Sequence, residues 1–321
     1  MNERFIPEFD WQTVFVQPWT EFGANSLWIT LMGFLVSCCC GLVGCFVILR
    51  RMALVGDAIS HSLLPGITLA FLITQSRATL PMMIGAMAAG ILTVALIEAI
   101  RYSSRIKPDA AIGIVFSSLF AVGVILISLF ADKVDLDAEC VLYGELGFVA
   151  LQEVATLGGV EIGPEPVVRM AIITLVAIGL ILAFYKEMLV TSFDAGLAAS
   201  LGINPNRYQY GLTLFLSIVI VSSFESVGVV LVIAMIIFPG ATALMLTDRL
   251  STALRLSAVF SVLYAFLGFH LATWLAASIA GSMTVIAGLL FGFVWFFAPR
   301  RGIAWKLAKR ESARLESPEI G

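Results

Sequence analysis

The chain has 321 residues, of which 60% are hydrophobic and 13% are charged, with a net charge of -3. A soluble domain carries about 25% charged residues, so this composition excludes an ordinary soluble protein and predicts an integral membrane protein with several spans. The five cysteines show no spacing typical of a disulfide framework or a zinc site. We expect no cleaved signal peptide, because the first apolar stretch is too long and no basic segment precedes it.

The first 25 residues mix aromatic and polar side chains, a pattern typical of a segment that lies in the membrane interface. Long apolar stretches without strand alternation follow, so the predicted fold is all-α: a polytopic integral membrane protein with about nine transmembrane helices. Spans of about 20 residues each are predicted near 26–49, 52–74, 80–101, 110–131, 167–185, 208–225, 227–247, 252–278 and 282–298. One transmembrane domain thus covers residues 26–299, and residues 300–321 form a basic tail.

The basic residues predict the orientation of the spans. With the N-terminus outside and the C-terminus cytoplasmic, the cytoplasmic side holds all but four of the 19 Lys and Arg residues; the exceptions are Arg4, Arg77, Lys133 and Arg169. Positive charge concentrates on the cytoplasmic side of membrane proteins, so this orientation and an odd number of spans are predicted. The longest outer loop, 132–166, is acidic. It is either a surface that attracts cations or a partner, or a plain solvated loop.

Asp57 and His61 stand near the start of the second predicted span. Residues four apart share one helix face, with about 5–6 Å between their Cβ atoms. Ionisable groups inside a bilayer are costly and therefore functional candidates, and an oxygen beside a nitrogen favours Mn, Zn or Fe over Mg or Ca. The alternative is a buried polar pair that joins helices. Pro65 cannot bond the carbonyl of His61, so the sequence predicts a kink and a hinge at this turn.

Two further ionisable residues are candidates for a metal route. Glu225 lies at the outer end of the sixth predicted span, close to Gly228, where a break or tight turn is expected. It either lines an outer gate or is an interfacial acid facing water. His270 lies on an apolar helix, where a lone histidine favours a packing role over a ligand role.

The cytoplasmic loop 192–203 is expected to contain a short helix. Ser192 or Asp194 can cap its start, and Gly202 can end it. The helix would present a small apolar face suited to docking into a partner; the alternative is a surface helix without a partner. The candidate docking residues are Asp194, Leu197, Ala198, Ala199, Leu201 and Gly202. The sequence has no G-x-x-x-x-G-K-[ST] motif, so this chain cannot hydrolyse ATP with a P-loop.

Four segments in order along residues 26–300 carry a resemblance to a known family. They are Arg50–Gly66 (RRMALVGDAISHSLLPG), Asp109–Phe116 (DAAIGIVF), Ser192–Ile203 (SFDAGLAASLGI) and Gly228–Ala243 (GVVLVIAMIIFPGATA). With these segments the chain resembles the membrane permeases of ABC importers for manganese, zinc and iron. The stretch Val134–Leu146 is more similar to the manganese and iron members than to the zinc members.

The resemblance implies a multi-pass permease of the bacterial plasma (inner) membrane that carries Mn, Fe or Zn and holds no permanent cofactor. It implies cytoplasmic ABC ATPase subunits, an extracytoplasmic metal-binding protein and a second permease chain, identical or homologous. Lipid surrounds the chain, and no nucleic acid is involved. Asp57 and His61 would line the pathway, and 192–203 would be the coupling helix. Two alternatives remain: a permease for a metal chelate or vitamin, and a secondary ion-coupled transporter.

Overall fold

The computed structural model describes residues 7–76, 79–130, 146–157, 160–299 and 302–305. A π-helical turn at Gln12–Val16 is the first described element, and a 3-10 turn at Leu146–Leu151 lies in the predicted outer loop 132–166. The remaining elements, in chain order, are α1 (Gln17–Thr20), α2 (Gly23–Leu49), α3 (Ala53–Thr74), α4 (Thr79–Ser103), α5 (Pro108–Leu129), β1 (Val154–Leu157), β2 (Val160–Pro164), α6 (Glu165–Ala183), α7 (Tyr185–Phe193), α8 (Ala195–Ser200), α9 (Pro205–Leu246), α10 (Leu250–Leu275) and α11 (Ile279–Phe297).

Among the described residues, eight helices are long and apolar enough to cross a membrane. They are α2 to α6, the second part of α9 from Ser226, α10 and α11. These helices coincide with eight of the predicted spans, which confirms a polytopic helical membrane protein. The predicted span at 208–225 is helical, as the first part of α9, but it is not one of the eight. The count of about nine spans and the orientation stay predictions.

The core of the molecule forms around α2, which packs against α6, α9 and α10. Small residues on α2 allow this close approach. A Cβ atom on Gly44 would overlap the carbonyl of Ile236 in α9, and one on Gly41 would lie 2.7 Å from the Pro239 ring. Apolar surface gives helices little reason to associate within lipid, so such small-residue contacts are the main source of packing there.

The long helix α9 contains the break that the sequence predicts. Gly228 has φ 74° and ψ 167°, outside the helical region, so the two parts of α9 meet at a bend. Glycine populates positive φ without the penalty that a Cβ imposes, which makes it the residue type suited to this position.

The loop between α5 and α6 contains a two-stranded antiparallel hairpin, a local element that was not predicted within the all-α fold. The sequence held the signal: β-branched residues flank Gly158 and Gly159, a dipeptide typical of hairpin turns. Gly163 lies against the ring of Trp28, where a Cβ would approach to 2.6 Å, so the hairpin lies on the beginning of α2. The acids of residues 131–145, together with most of the tail 300–321, lie outside the described residues.

Candidate functional site

Asp57 and His61 occupy one face of α3, as their spacing predicts. The His61 Nε2 atom lies 3.4 Å from Asp57 Oδ1. The side chain of His61 is 31% exposed and that of Asp57 is 42% exposed. The pair therefore lies on an open face of this chain, and the ligand role of the two side chains stays a prediction.

Two phenylalanines of α5 form the wall beside the imidazole. The ring centroids of Phe116 and Phe120 lie 5.4 and 6.0 Å from that of His61. These rings leave the imidazole nitrogens without a competing polar partner from α5. Phe116 belongs to the Asp109–Phe116 segment that carries the resemblance, but its contact with His61 depends on how α3 and α5 pack.

The opposite face of α3 fixes the position of the pair. Ile59 and Leu63 are fully buried, and Ser60 and Ser62 are buried as well. The serine hydroxyls donate to the carbonyls of Gly56 and Ala58, at 3.0 and 2.6 Å. The two serines therefore bond within their own helix, and the polar groups on the open face are those of Asp57 and His61.

The turn after His61 is held closely by two neighbouring helices. Pro65 faces Gly123 of α5, where an added Cβ would lie 2.9 Å from the proline ring. Gly66 and Gly85 of α4 face each other so closely that a Cβ on either would overlap the other's carbonyl. The helix continues through Pro65 as one element, so the predicted kink and hinge role remain predictions.

The described residues of one chain bring two candidate ligands, Asp57 and His61, to this place. Among the described residues, no group of three or more His, Cys, Asp or Glu side chains is close enough to hold one ion. Structural and transport sites for first-row metals use about four or more donor atoms. Further donors at Asp57 and His61 must therefore come from hydroxyl, amide or backbone oxygens, from water, from another chain or from residues outside the described ranges.

The two additional candidates have different settings. Glu225 lies in the first part of α9, three residues before the break at Gly228, and its side chain lies outside the described part of the chain. His270 is buried in α10, 3% exposed. Its Nδ1 atom bonds the carbonyl of Val14 at 2.9 Å, and its Nε2 accepts from Trp19 Nε1 at 3.4 Å. Because both ring nitrogens have partners, this geometry favours the packing role for His270.

The predicted docking helix is α8, and its two ends have the caps that the sequence indicates. Asp194 Oδ1 accepts from the N–H of Leu197 at 2.9 Å. At the other end Gly202 has φ 78°, with bonds from its N–H to the Ala199 carbonyl and from Ile203 N–H to the Ala198 carbonyl. This pair of bonds is a Schellman motif, in which glycine is the usual residue.

The exposed surface of α8 is apolar. Leu197 and Leu201 are 50% and 61% exposed, and Phe193 at the end of α7 is 61% exposed. Ala199 is exposed too, whereas Ala198 is fully buried against the rest of the chain and cannot contribute to a docking face. A surface of this kind suits a partner that covers it, and the docking role stays a prediction.

Sequence reasoning missed one contact near this helix. Arg50, counted in the sequence only as a cytoplasmic charge, bonds Thr191 and Ser192 at the end of α7. These residues are separated by more than 140 positions, so no local pattern could indicate the contact.

The comparisons with known proteins agree with this architecture. The profile of the ABC 3 transport family matches residues 24–298. The manganese transport system membrane protein MntD of Bacillus subtilis is 45% identical over 279 residues, which cover 87% of this chain and 94% of that protein. The zinc transport system membrane protein TroD of Treponema pallidum is 38% identical over 288 residues, covering 90% of this chain and 78% of that protein.

Solved structures share the same fold. The structure of PsaBC from Streptococcus pneumoniae in complex with Fab matches with a TM-score of 0.73 and 32% identity, over 92% of this chain and 98% of that chain. A metal-chelate type ABC transporter in an inward-facing conformation, 17% identical with a TM-score of 0.61 over 91% of each chain, shares the fold alone. The chain therefore belongs to the ABC 3 transport family, as a multi-pass membrane permease of the bacterial inner membrane.

Proposed function

We propose that the chain is the transmembrane subunit of an ATP-driven importer of divalent transition metal ions, with manganese or iron favoured over zinc. The observation that carries this proposal is the Asp57–His61 pair, a carboxylate and an imidazole 3.4 Å apart on an open face of a membrane helix. Relatives named for manganese and zinc transport support the same class of substrate.

The face of α3 that carries Asp57 and His61 should be buried by another chain in the assembled transporter. A charged side chain within a span is costly to insert into a bilayer, so an aspartate facing lipid is unfavourable. A second permease chain, identical or homologous, is the cover that we infer. Two such chains facing each other would bring two carboxylates and two imidazoles to one place, which is enough to bind a first-row ion.

The chemistry of the pair suits a partly dehydrated divalent ion. The carboxylate of Asp57 offsets the positive charge of an ion that has lost part of its water, and the neutral imidazole of His61 adds a nitrogen ligand. Both ligands lie on α3, so a change in the position of this helix moves them together. Alternating access then requires α3 to open first toward the extracytoplasmic metal-binding protein and later toward the cytoplasm.

We infer that α8 is the coupling helix. Its capped ends make it a rigid short element, and the exposed side chains of Leu197 and Leu201 offer an apolar surface to a cytoplasmic ABC ATPase subunit. ATP binding and hydrolysis in that partner would supply the energy, because the sequence of this chain has no P-loop.

The two alternatives fit less well. A permease for a metal chelate or vitamin needs a wide and largely uncharged path, and an acid beside a histidine does not suit such a cargo. A secondary transporter needs no ATPase partner, whereas the chain belongs to the ABC 3 transport family.

The test is metal content in a deletion strain, measured by inductively coupled plasma mass spectrometry for Mn, Fe and Zn. We expect deletion to lower the content of at least one of these metals, and the wild-type gene to restore it. A gene that encodes Asp57→Asn should not restore it at equal permease abundance. Unchanged contents of all three metals in the deletion strain, under limitation of each metal, would contradict the proposal.

A further inference from the structure

Arg50 joins the end of α2 to the end of α7 through two hydrogen bonds. Its Nη2 donates to Thr191 Oγ1 at 2.7 Å, and its Nε donates to Ser192 Oγ at 3.1 Å. The guanidinium is partly buried at this contact, and burial lowers the pKa of Arg50 from its ordinary value. An arginine remains charged at neutral pH all the same, so both bonds are charge-assisted.

The two hydroxyl groups are prepared to accept these bonds. Thr191 Oγ1 donates its proton to the carbonyl of Glu187 at 2.8 Å, and Ser192 Oγ donates to that of Met188 at 2.6 Å. A hydroxyl has one proton and two lone pairs. With each proton engaged inside α7, the lone pairs are left to face Arg50, and the planar guanidinium reaches both oxygens at once.

Each end of this contact leads directly to a part of the proposed transport machinery. On one side, Thr191 and Ser192 stand just before Asp194, which caps α8. On the other side, Arg50 opens the three-residue connection from α2 to α3, the helix of Asp57 and His61.

The connection from α2 to α3 is short and fixed. Arg51 has φ 57°, and the N–H groups of Arg51 and Met52 bond the carbonyls of Ile48 and Val47, both at 2.9 Å. Met52 is buried, and α3 begins at the next residue. A displacement of Arg50 therefore reaches the ligand turn of α3 through a few residues of hydrogen-bonded backbone.

We propose that Arg50 is a positioning residue that transmits movement of the coupling helix α8 to the metal-ligand helix α3, through its paired bonds to Thr191 and Ser192. This inference rests on the proposed function, because it assigns α8 to the ATPase and Asp57 and His61 to the metal. It adds the residue through which α8 and the helix of the metal ligands, α3, act on each other.

The side-chain chemistry predicts how substitutions should rank. Lysine has the same charge but is a point donor on a flexible stem, so it can hold one hydroxyl well but not both in a fixed plane. Methionine keeps most of the length and has no donor. Coupling should therefore decrease in the order arginine, lysine, methionine at position 50.

The experiment uses the whole importer, with ATPase subunits and binding protein, reconstituted in vesicles. For each variant, the ions transported per ATP hydrolysed are measured with Mn²⁺ as the probe. We expect Arg50→Met to lower this ratio about ten-fold, the size expected for loss of a charge-assisted hydrogen bond, with the ATPase still bound. Arg50→Lys should fall between Arg50→Met and wild type.

Two further variants complete the test. Thr191→Val removes one acceptor at nearly constant volume and should also lower the ratio of ions to ATP. The double variant Arg50→Met/Thr191→Val should have the same ratio as Arg50→Met alone, because both changes act on one contact. Arg255→Met is the matched control: Arg255 is an exposed arginine of α10 whose bonds go to Ser251 and Thr252 of its own helix. It should keep the wild-type ratio.

The outcomes separate this inference from the proposed function. A wild-type importer that transports none of Mn²⁺, Fe²⁺ and Zn²⁺, each tested in the same vesicles, would refute the proposed function itself. If wild type and Arg50→Met transport the same number of ions per ATP hydrolysed, the role of Arg50 is refuted while the proposed function stands. Equal losses of bound ATPase and of transport, at an unchanged ratio, would also refute it, since Arg50 would then only support the docking surface. If Arg50→Met does not fold, the ratio of Thr191→Val decides.

Discussion

Asp57 and His61 are the residues whose replacement tests the metal pathway most directly. Asp57→Asn and His61→Gln keep side-chain size but remove the anionic oxygen or the imidazole nitrogen. Groups that merely support metal ligands cost about 10–100-fold when they are replaced, so loss of a ligand should lower uptake by about 100-fold or more. Uptake of Mn²⁺ into reconstituted vesicles, divided by the amount of folded permease, measures the effect.

The second histidine of the chain provides a matched control. His270→Gln removes an imidazole from a position where both ring nitrogens already have protein partners. Uptake per folded molecule should remain within about two-fold of wild type, because no ligand is lost. If His270→Gln stops uptake as His61→Gln does, the assignment of His270 to packing is wrong.

His270 should matter for stability instead. The imidazole holds the N-terminal segment on α10 through Val14 and Trp19, and it stacks on Phe15 with ring centroids 4.4 Å apart. His270→Ala leaves the carbonyl of Val14 and the N–H of Trp19 without these bonds, which should cost about 1–3 kcal/mol. Protease cleavage near residues 7–20 should become faster, while a rate equal to that of wild type would argue against the anchoring role.

The spacing of Asp57 and His61 was enough to predict one shared helix face, because the period of a helix is local information. The wall formed by Phe116 and Phe120 was not predictable in the same way, since it depends on the packing of α5 against α3. The same holds for the bonds from Arg50 to Thr191 and Ser192. Local chemistry therefore suggested the candidate ligands, and tertiary packing determined which groups surround them.

Replacement of Pro65 tests whether transport requires α3 to bend. Pro65→Ala restores an N–H that can bond the carbonyl of His61 and so stiffens the helix at the ligand turn. We expect the transport rate per folded molecule to fall several-fold, while the order of preference among metals persists because both ligands remain. Uptake rates for two metals in vesicles measure this.

The packing around Pro65 supplies the competing explanation and its control. Pro65 lies against Gly123 of α5, so loss of its ring could instead reduce stability with normal turnover. Gly123→Ala crowds the same contact, with its added Cβ 2.9 Å from the Pro65 ring, and it adds no N–H donor to α3. If Gly123→Ala slows transport as much as Pro65→Ala, packing rather than stiffness explains the effect.

The coupling role of α8 is tested on its exposed face. Ala199→Arg places a long charged side chain on a surface that would be covered by the ATPase, and Gly202→Pro removes both the left-handed conformation and the N–H that bonds Ala199. Ala199→Arg should lower ATP-driven uptake about ten-fold or more, the scale of burying an unpaired charge in an interface. Gly202→Pro should lower it as well, because α8 loses its C-terminal cap. Ser103→Arg, an exposed position at the end of α4, is the control.

Co-purification of the ATPase with the permease is the direct measurement for these variants. Retention of the ATPase together with wild-type metal-stimulated ATP turnover in Ala199→Arg would contradict a docking role for α8.

The long helices and the caps of α8 could be predicted because length, apolar composition and capping residues are sequence properties. The hairpin of β1 and β2 was missed although Gly158 and Gly159 lie between β-branched residues, because such short strands carry little periodic pattern.

The composition of the chain predicts an integral membrane protein, whereas the assembly with other subunits is predicted only through the resemblance to a family. The apolar composition requires several spans, whereas a surface that faces a second chain and one that faces lipid are both apolar. The open face that carries Asp57 and His61 is best explained as a surface that faces a second chain, since ionisable side chains do not suit lipid contact. The position of this face beside α5 predicts where the proposed second permease chain lies.

A photo-reactive amino acid can locate that second chain without assuming that it is identical. Val124 of α5 is 42% exposed and lies one helical turn beyond Phe120, which contacts His61. A photo-crosslinker at position 124 should therefore join this chain to a second permease and give a product with the mass of two permeases. Leu175 of α6, 68% exposed, is the matched control, because α6 does not carry the ligand pair; a crosslinker there should react mainly with lipid. Mass spectrometry identifies each product, in the wild-type background and with Asp57→Asn. A permease product from position 175 together with none from position 124 would place the second chain on the other side of the molecule, and the ligand pair would then need a different cover.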